Sequence, residues 1–147
     1  MVSETVILEV LADTPENSLG QVKVSATFIM RNLGDVAEQM AVRFPVGASE
    51  GWGNTPEITE MSISVDGKTV PTRAISGEDP NGMSDAVPWI EFDASFPPGV
   101  DVPIQASYVL EAAGDLPFVW FTYIFSTGAG WKGTIGSAVL FVRFPYE

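Results

Sequence analysis

Gln21-Val22-Lys23-Val24-Ser25-Ala26-Thr27-Phe28-Ile29-Met30-Arg31-Asn32 alternates with a period of two: Val22, Val24, Ala26, Phe28 and Met30 share one face, and Lys23, Ser25, Thr27 and Arg31 the other. A strand points successive side chains to opposite sides, so this pattern places one face in a core and one in water. Val100 to Glu111 repeats it, with Val100, Val102, Ile104, Ala106, Tyr108 and Leu110 inward and Asp101, Gln105, Ser107 and Glu111 outward. Met40, Val42 and Phe44 continue the pattern until Pro45 ends the run.

Ile63-Ser64-Val65-Asp66-Gly67-Lys68-Thr69-Val70 reads as a β-hairpin, because Asp-Gly supplies the positive φ angles of a two-residue type I′ turn. Further strands are expected at Thr5 to Leu11, Val87 to Phe92, Phe118 to Phe125 and Ile135 to Phe144, eight or nine in all. The sole helical candidate is a single turn around Asp35 to Gln39, and the 14 Gly and 11 Pro fall mostly between strand runs. Short strands joined by such turns predict an all-β fold, a single antiparallel β-sandwich spanning residues 1–147, immunoglobulin-like or fibronectin-like in general architecture. A closed β-barrel is the alternative.

Composition narrows function. The chain has no histidine and no cysteine, so it lacks an imidazole base, a thiolate nucleophile and the usual nitrogen and sulfur metal ligands. Nineteen Asp and Glu against seven Lys and Arg give a net charge of -12, which repels phosphate backbones and anionic headgroups and excludes nucleic acid as a partner. The longest apolar stretches, such as Leu116 to Phe125, fall short of the ~20 residues of a spanning helix, so no direct membrane insertion is expected. Met1 to Glu4 has no signal-peptide character, and an apolar run ends almost at Glu147, which reads as a domain cut from a longer exported protein.

Gly128-Ala129-Gly130-Trp131-Lys132-Gly133 is a literal G-x-G-x-x-G, but a β-branched run follows it where a nucleotide site needs a helix N-terminus. No cofactor is expected. The tryptophans Trp52, Trp89 and Trp131 are the candidate contacts for a ligand or partner, since aromatic faces stack on sugar rings while nearby acids and amides bind hydroxyls. The competing reading has Trp131 covering the end of the core. Phe118 to Phe125 is apolar on both faces, so it is expected to lie beneath a covering loop, the alternative being an apolar patch presented to a partner. Glu78 to Asp85 is the densest oxygen-ligand segment, and Asp79 and Asp85 are its calcium candidates, although the spacing does not match an EF-hand.

The order of the aromatic strand from Phe118, the Ser126-Thr127-Gly128-Ala129-Gly130-Trp131-Lys132-Gly133-Thr134-Ile135-Gly136 segment and a closing apolar strand to Phe144 resembles bacterial envelope-associated β-sandwich domains of unknown function. The resemblance implies an extracytoplasmic, non-catalytic domain of a secreted or membrane-anchored protein. The expected function is a structural or protein-interaction module, contacting a protein partner or a neighbouring domain. A carbohydrate-binding module using loop tryptophans and a calcium-stabilised adhesion domain are the alternatives.

Overall fold

The computed structural model describes residues 1–12, 19–47, 58, 61–80, 82–115, 117–125, 131 and 133–146. Eleven strands run through them: β1 (Ser3–Val10), β2 (Gln21–Arg31), β3 (Glu38–Pro45), β4 (Met61–Val65), β5 (Lys68–Thr69), β6 (Arg73–Gly77), β7 (Val87–Phe96), β8 (Asp101–Glu111), β9 (Ala113–Asp115), β10 (Phe118–Trp120) and β11 (Ser137–Arg143). The fold is all-β and sandwich-like, and the described strands do not close into a barrel. Among the described residues no helix is long and apolar enough to cross a membrane.

A six-stranded sheet has the order β11-β1-β2-β8-β4-β5, and a three-stranded sheet has the order β3-β7-β6. Register explains the core. β2 and β8 pair antiparallel with Val22 opposite Leu110, Val24 opposite Tyr108, Ala26 opposite Ala106, Phe28 opposite Ile104 and Met30 opposite Val102. Each inward residue of one strand therefore meets an inward residue of the other, and all ten are buried. β1 adds Val6 opposite Ala26, and β4 adds Ile63 opposite Ala106. The smaller sheet contributes Val42 from β3 and Phe92, Ala94 and Phe96 from β7 to the same cluster. Phe44 joins the layers, its ring edge-on to Phe28 at 6.2 Å and to Tyr108 at 6.0 Å.

The Asp-Gly hairpin forms as its sequence predicts, with φ 50° at Asp66 and 73° at Gly67. Four expectations are corrected. The turn at Asp35 to Gln39 is not helical: buried Asn32 accepts from Gly34 N–H at 2.8 Å and donates to the carbonyls of Val36 and Phe96, closing a side-chain turn, and Glu38 and Gln39 then pair with β7. Val100 is half exposed, because the Pro97-Pro98-Gly99 turn delays the strand to Asp101. Pairing is not antiparallel throughout, since β11 runs parallel to β1. The aromatic run is a strand only over Phe118–Trp120, in a ribbon with β9, and Phe118 and Trp120 stand 79% and 47% exposed. Phe121 and Tyr123 instead turn onto the core. β6 and β9, too short to show periodicity, are found only in the structure.

Glu4 is the buried acid of the core, 1% exposed on the inward parity of β1. Tyr123 donates its hydroxyl to Glu4 Oε1 at 2.7 Å. Burial raises the Glu4 pKa, and the tyrosine hydrogen bond opposes this in part. Both Tyr123 and Tyr108 titrate above their ordinary range, through burial first and through Glu4 second, except that for Tyr123 the second contribution is the hydrogen bond to Glu4.

Two outcomes follow from this packing. Phe28→Ala removes a ring buried between the sheets and is expected to cost about 3 to 5 kcal/mol in urea unfolding; a loss below about 1 kcal/mol would contradict the shared core. Glu4 holds a proton in the folded chain at pH values where the unfolded chain has released it. Its contribution to stability is thus intact below the unfolded pKa and is lost as pH rises through the folded one. Glu4→Gln keeps an acceptor for Tyr123 without a charge, so its gain in melting temperature over the parent should grow from acid to neutral pH. An equal gain at every pH would refute the assignment.

Candidate functional site

The three-stranded sheet carries a salt-bridge ladder on its outward parity. Glu91 of β7 binds Arg43 of β3 at 2.9 Å and Arg73 of β6 at 3.0 Å, and Arg73 also binds Asp93. The Arg43 and Arg73 guanidiniums hold the Glu91 carboxyl below the usual carboxylate range, and Arg73 does the same to Asp93. Trp89 has the same parity two residues earlier on β7. Its indole N–H donates to the Glu78 carbonyl at 2.9 Å. Gly77 makes room for it: a Cβ there would sit 2.8 Å from the indole ring. Glycine at the end of β6 is therefore what lets the ring lie flat against the backbone.

Trp131 approaches from the loop before β11. It packs against the core, edge-on to Phe96 at 6.2 Å, and borders a small pocket of about 30 Å³ together with Met1, Phe28 and Phe92. It thus covers the end of the core, as one of the two readings expected. It also does more. Trp89 and Trp131 line one concave groove of about 770 Å³, with Met40 and Arg43 of β3 and Glu78 and Pro80 on its other walls. The third tryptophan, Trp52, and the glycines Gly128 and Gly130 lie outside the described residues.

Asp79 is a wall of the same groove and is buried. Its carboxylate accepts the backbone N–H groups of Met83 and Ser84 at 2.9 and 3.0 Å. That arrangement ties the turn to the carboxylate. Asp85 is exposed. Among the described residues no group of three or more acids gathers as a metal site would require.

Sequence reading pointed to Trp89, Trp131 and the Glu78 to Asp85 segment but not to Met40, Arg43 or Gly77. The signal that existed was Gly77 ahead of Glu78-Asp79-Pro80, a turn closing a strand too short to recognise. The groove is lined by two tryptophans, Arg43 and the acids Glu78 and Asp79. It thus sets apolar and polar side chains next to one another on one surface.

No protein-family model matches the chain, and no curated protein matches it. A solved structure does. It is a Legionella pneumophila protein described as a "putative nutrient binding protein", similar over 90% of this chain with a TM-score of 0.74 and 20% sequence identity. The fold is shared. This chain spans 46% of the length of the Legionella protein.

Trp131→Ala should lower the melting temperature, with a loss of about 2 kcal/mol, roughly half the cost of deleting a fully buried tryptophan. An unchanged melt would show that the ring does not close the core.

Proposed function

We propose that this domain is a non-catalytic binding module on the outside of a bacterial cell and that its groove takes a carbohydrate or a similar polyhydroxylated small molecule. The observation that carries this reading is the convergence of Trp89 and Trp131 on one concave surface of about 770 Å³. Sugars present patches of C–H that stack on indole, and hydroxyls that pair with guanidinium and carbonyl groups. The lack of histidine and cysteine favours binding over turnover. The description of the Legionella protein as nutrient-binding is in accord with a small-molecule ligand. The extracytoplasmic placement rests on the resemblance to envelope-associated sandwiches. Docking of a protein partner falls to a separate surface, the apolar strand β11.

Screening on a glycan array, followed by calorimetry with the best ligand, tests the reading. Trp89→Ala is expected to weaken binding at least tenfold, about 1.4 kcal/mol, while melting within a few degrees of the parent, because the ring adds to the groove and not to the core cluster. Binding that survives Trp89→Ala, or a parent that binds no glycan, would overturn it.

A further inference from the structure

β11 is terminal in the six-stranded sheet, hydrogen-bonded along one edge to β1. Every residue of it is exposed. Val139, Leu140, Phe141 and Val142 stand 44%, 44%, 50% and 49% exposed, and because four consecutive residues alternate between faces, both faces of the strand are about half exposed. Phe144 and Tyr146 extend the surface, their rings stacked at 5.5 Å. Proteins blunt such edges with charges, proline or very short strands. The opposite edge of this sheet is blunted in that way, by the two-residue β5 with Lys68. Among the described residues β11 has no such device: its one charge, Arg143, is tied back to Glu9 of β1 at 2.9 Å.

The charge map points to the occupant. All nineteen acids lie at positions 4–115 and at 147, so the stretch from Leu116 to Tyr146 has none, and it carries the cations Lys132 and Arg143. The two acids of the adjoining β1 are accounted for: Glu4 is buried against Tyr123 and Glu9 is paired with Arg143. Two copies of a chain with net charge -12 repel at most surfaces. Through β11 they meet apolar side chains and unpaired backbone without setting acid against acid.

We propose that β11 is the interface of a symmetric homodimer, in which it pairs antiparallel with β11 of a second copy about a two-fold axis at Leu140 and joins the two six-stranded sheets into one. The strand is self-complementary in that register. Leu140 faces Leu140 of the second copy, Val139 faces Phe141, Ala138 faces Val142, and Ser137 faces Arg143, so no like charges meet. The inference stands apart from the groove, whose residues belong to the three-stranded sheet, its loops and Trp131 of the loop before β11.

Sedimentation velocity from micromolar to sub-millimolar protein provides the first test. A concentration-dependent dimer is expected, tighter at half-molar salt than at low salt because salt screens the repulsion of the two acidic bodies. The chain has no cysteine, so an introduced thiol is unique. Leu140→Cys places two thiols across the axis, where directly opposed Cβ atoms lie about 4.5 to 5.5 Å apart, and should form an intermolecular disulfide under mild oxidation. Ser137→Cys, facing an arginine, should not. Phe141→Lys should yield a monomer with the parent's β-rich far-UV spectrum. A parent that stays monomeric at every concentration and salt overturns the proposal, as does a dimer in which Ser137→Cys links as readily as Leu140→Cys.

Discussion

The pairing of β2 with β8 is the constraint on which the rest of the molecule depends. Eleven consecutive residue pairs run from Gln21 opposite Glu111 to Arg31 opposite Asp101. Side chains clamp both ends: Gln21 Nε2 donates to Glu111, and Arg31 binds both carboxylate oxygens of Asp101 at 2.6 Å. These exposed contacts add little stability on their own. Their effect is on register, because a slip by one residue would carry all ten inward side chains of the two strands into water.

The smaller sheet covers only part of that platform, and the site is a result of the shortfall. β3 and β7 bring Val42, Phe44, Phe92 and Phe96 onto the core, while the remainder is closed by Phe121, Tyr123 and Trp131 from segments without regular pairing. Trp131 consequently both packs edge-on to Phe96 and borders the groove with Trp89. Trp131 is thus shared between core and groove, whereas Trp89, held by Gly77 and the Glu78 carbonyl, lines the groove without joining the core cluster.

Glu4 shows how the irregular segment is fastened. An acid at an inward strand position raises the energy of its own charged form, and Tyr123 supplies the hydrogen bond that a buried carboxyl requires. The contact spans 119 positions of sequence, linking the first strand to the segment that follows β10. It fixes Tyr123 beneath the sheet while Phe118 and Trp120, a few residues earlier, remain outside.

The long strands were legible from sequence because alternation is imposed by the pleat itself: Val22 to Met30 and Val102 to Leu110 had one way to hide their apolar side chains. The Asp66-Gly67 turn was legible for an equally local reason, the φ angles that those residues tolerate. Charge and the missing histidine and cysteine bounded the function without any coordinates. Tertiary structure decided the rest. Periodicity says which residues share a face but not what lies opposite, so Phe118 to Phe125 and Ser137 to Arg143, equally apolar on paper, became a partly buried closure and an exposed parallel edge. The convergence of Trp89 and Trp131, 42 positions apart in sequence, depends on how β7 and the last loop meet across the sandwich, and no local preference encodes that distance.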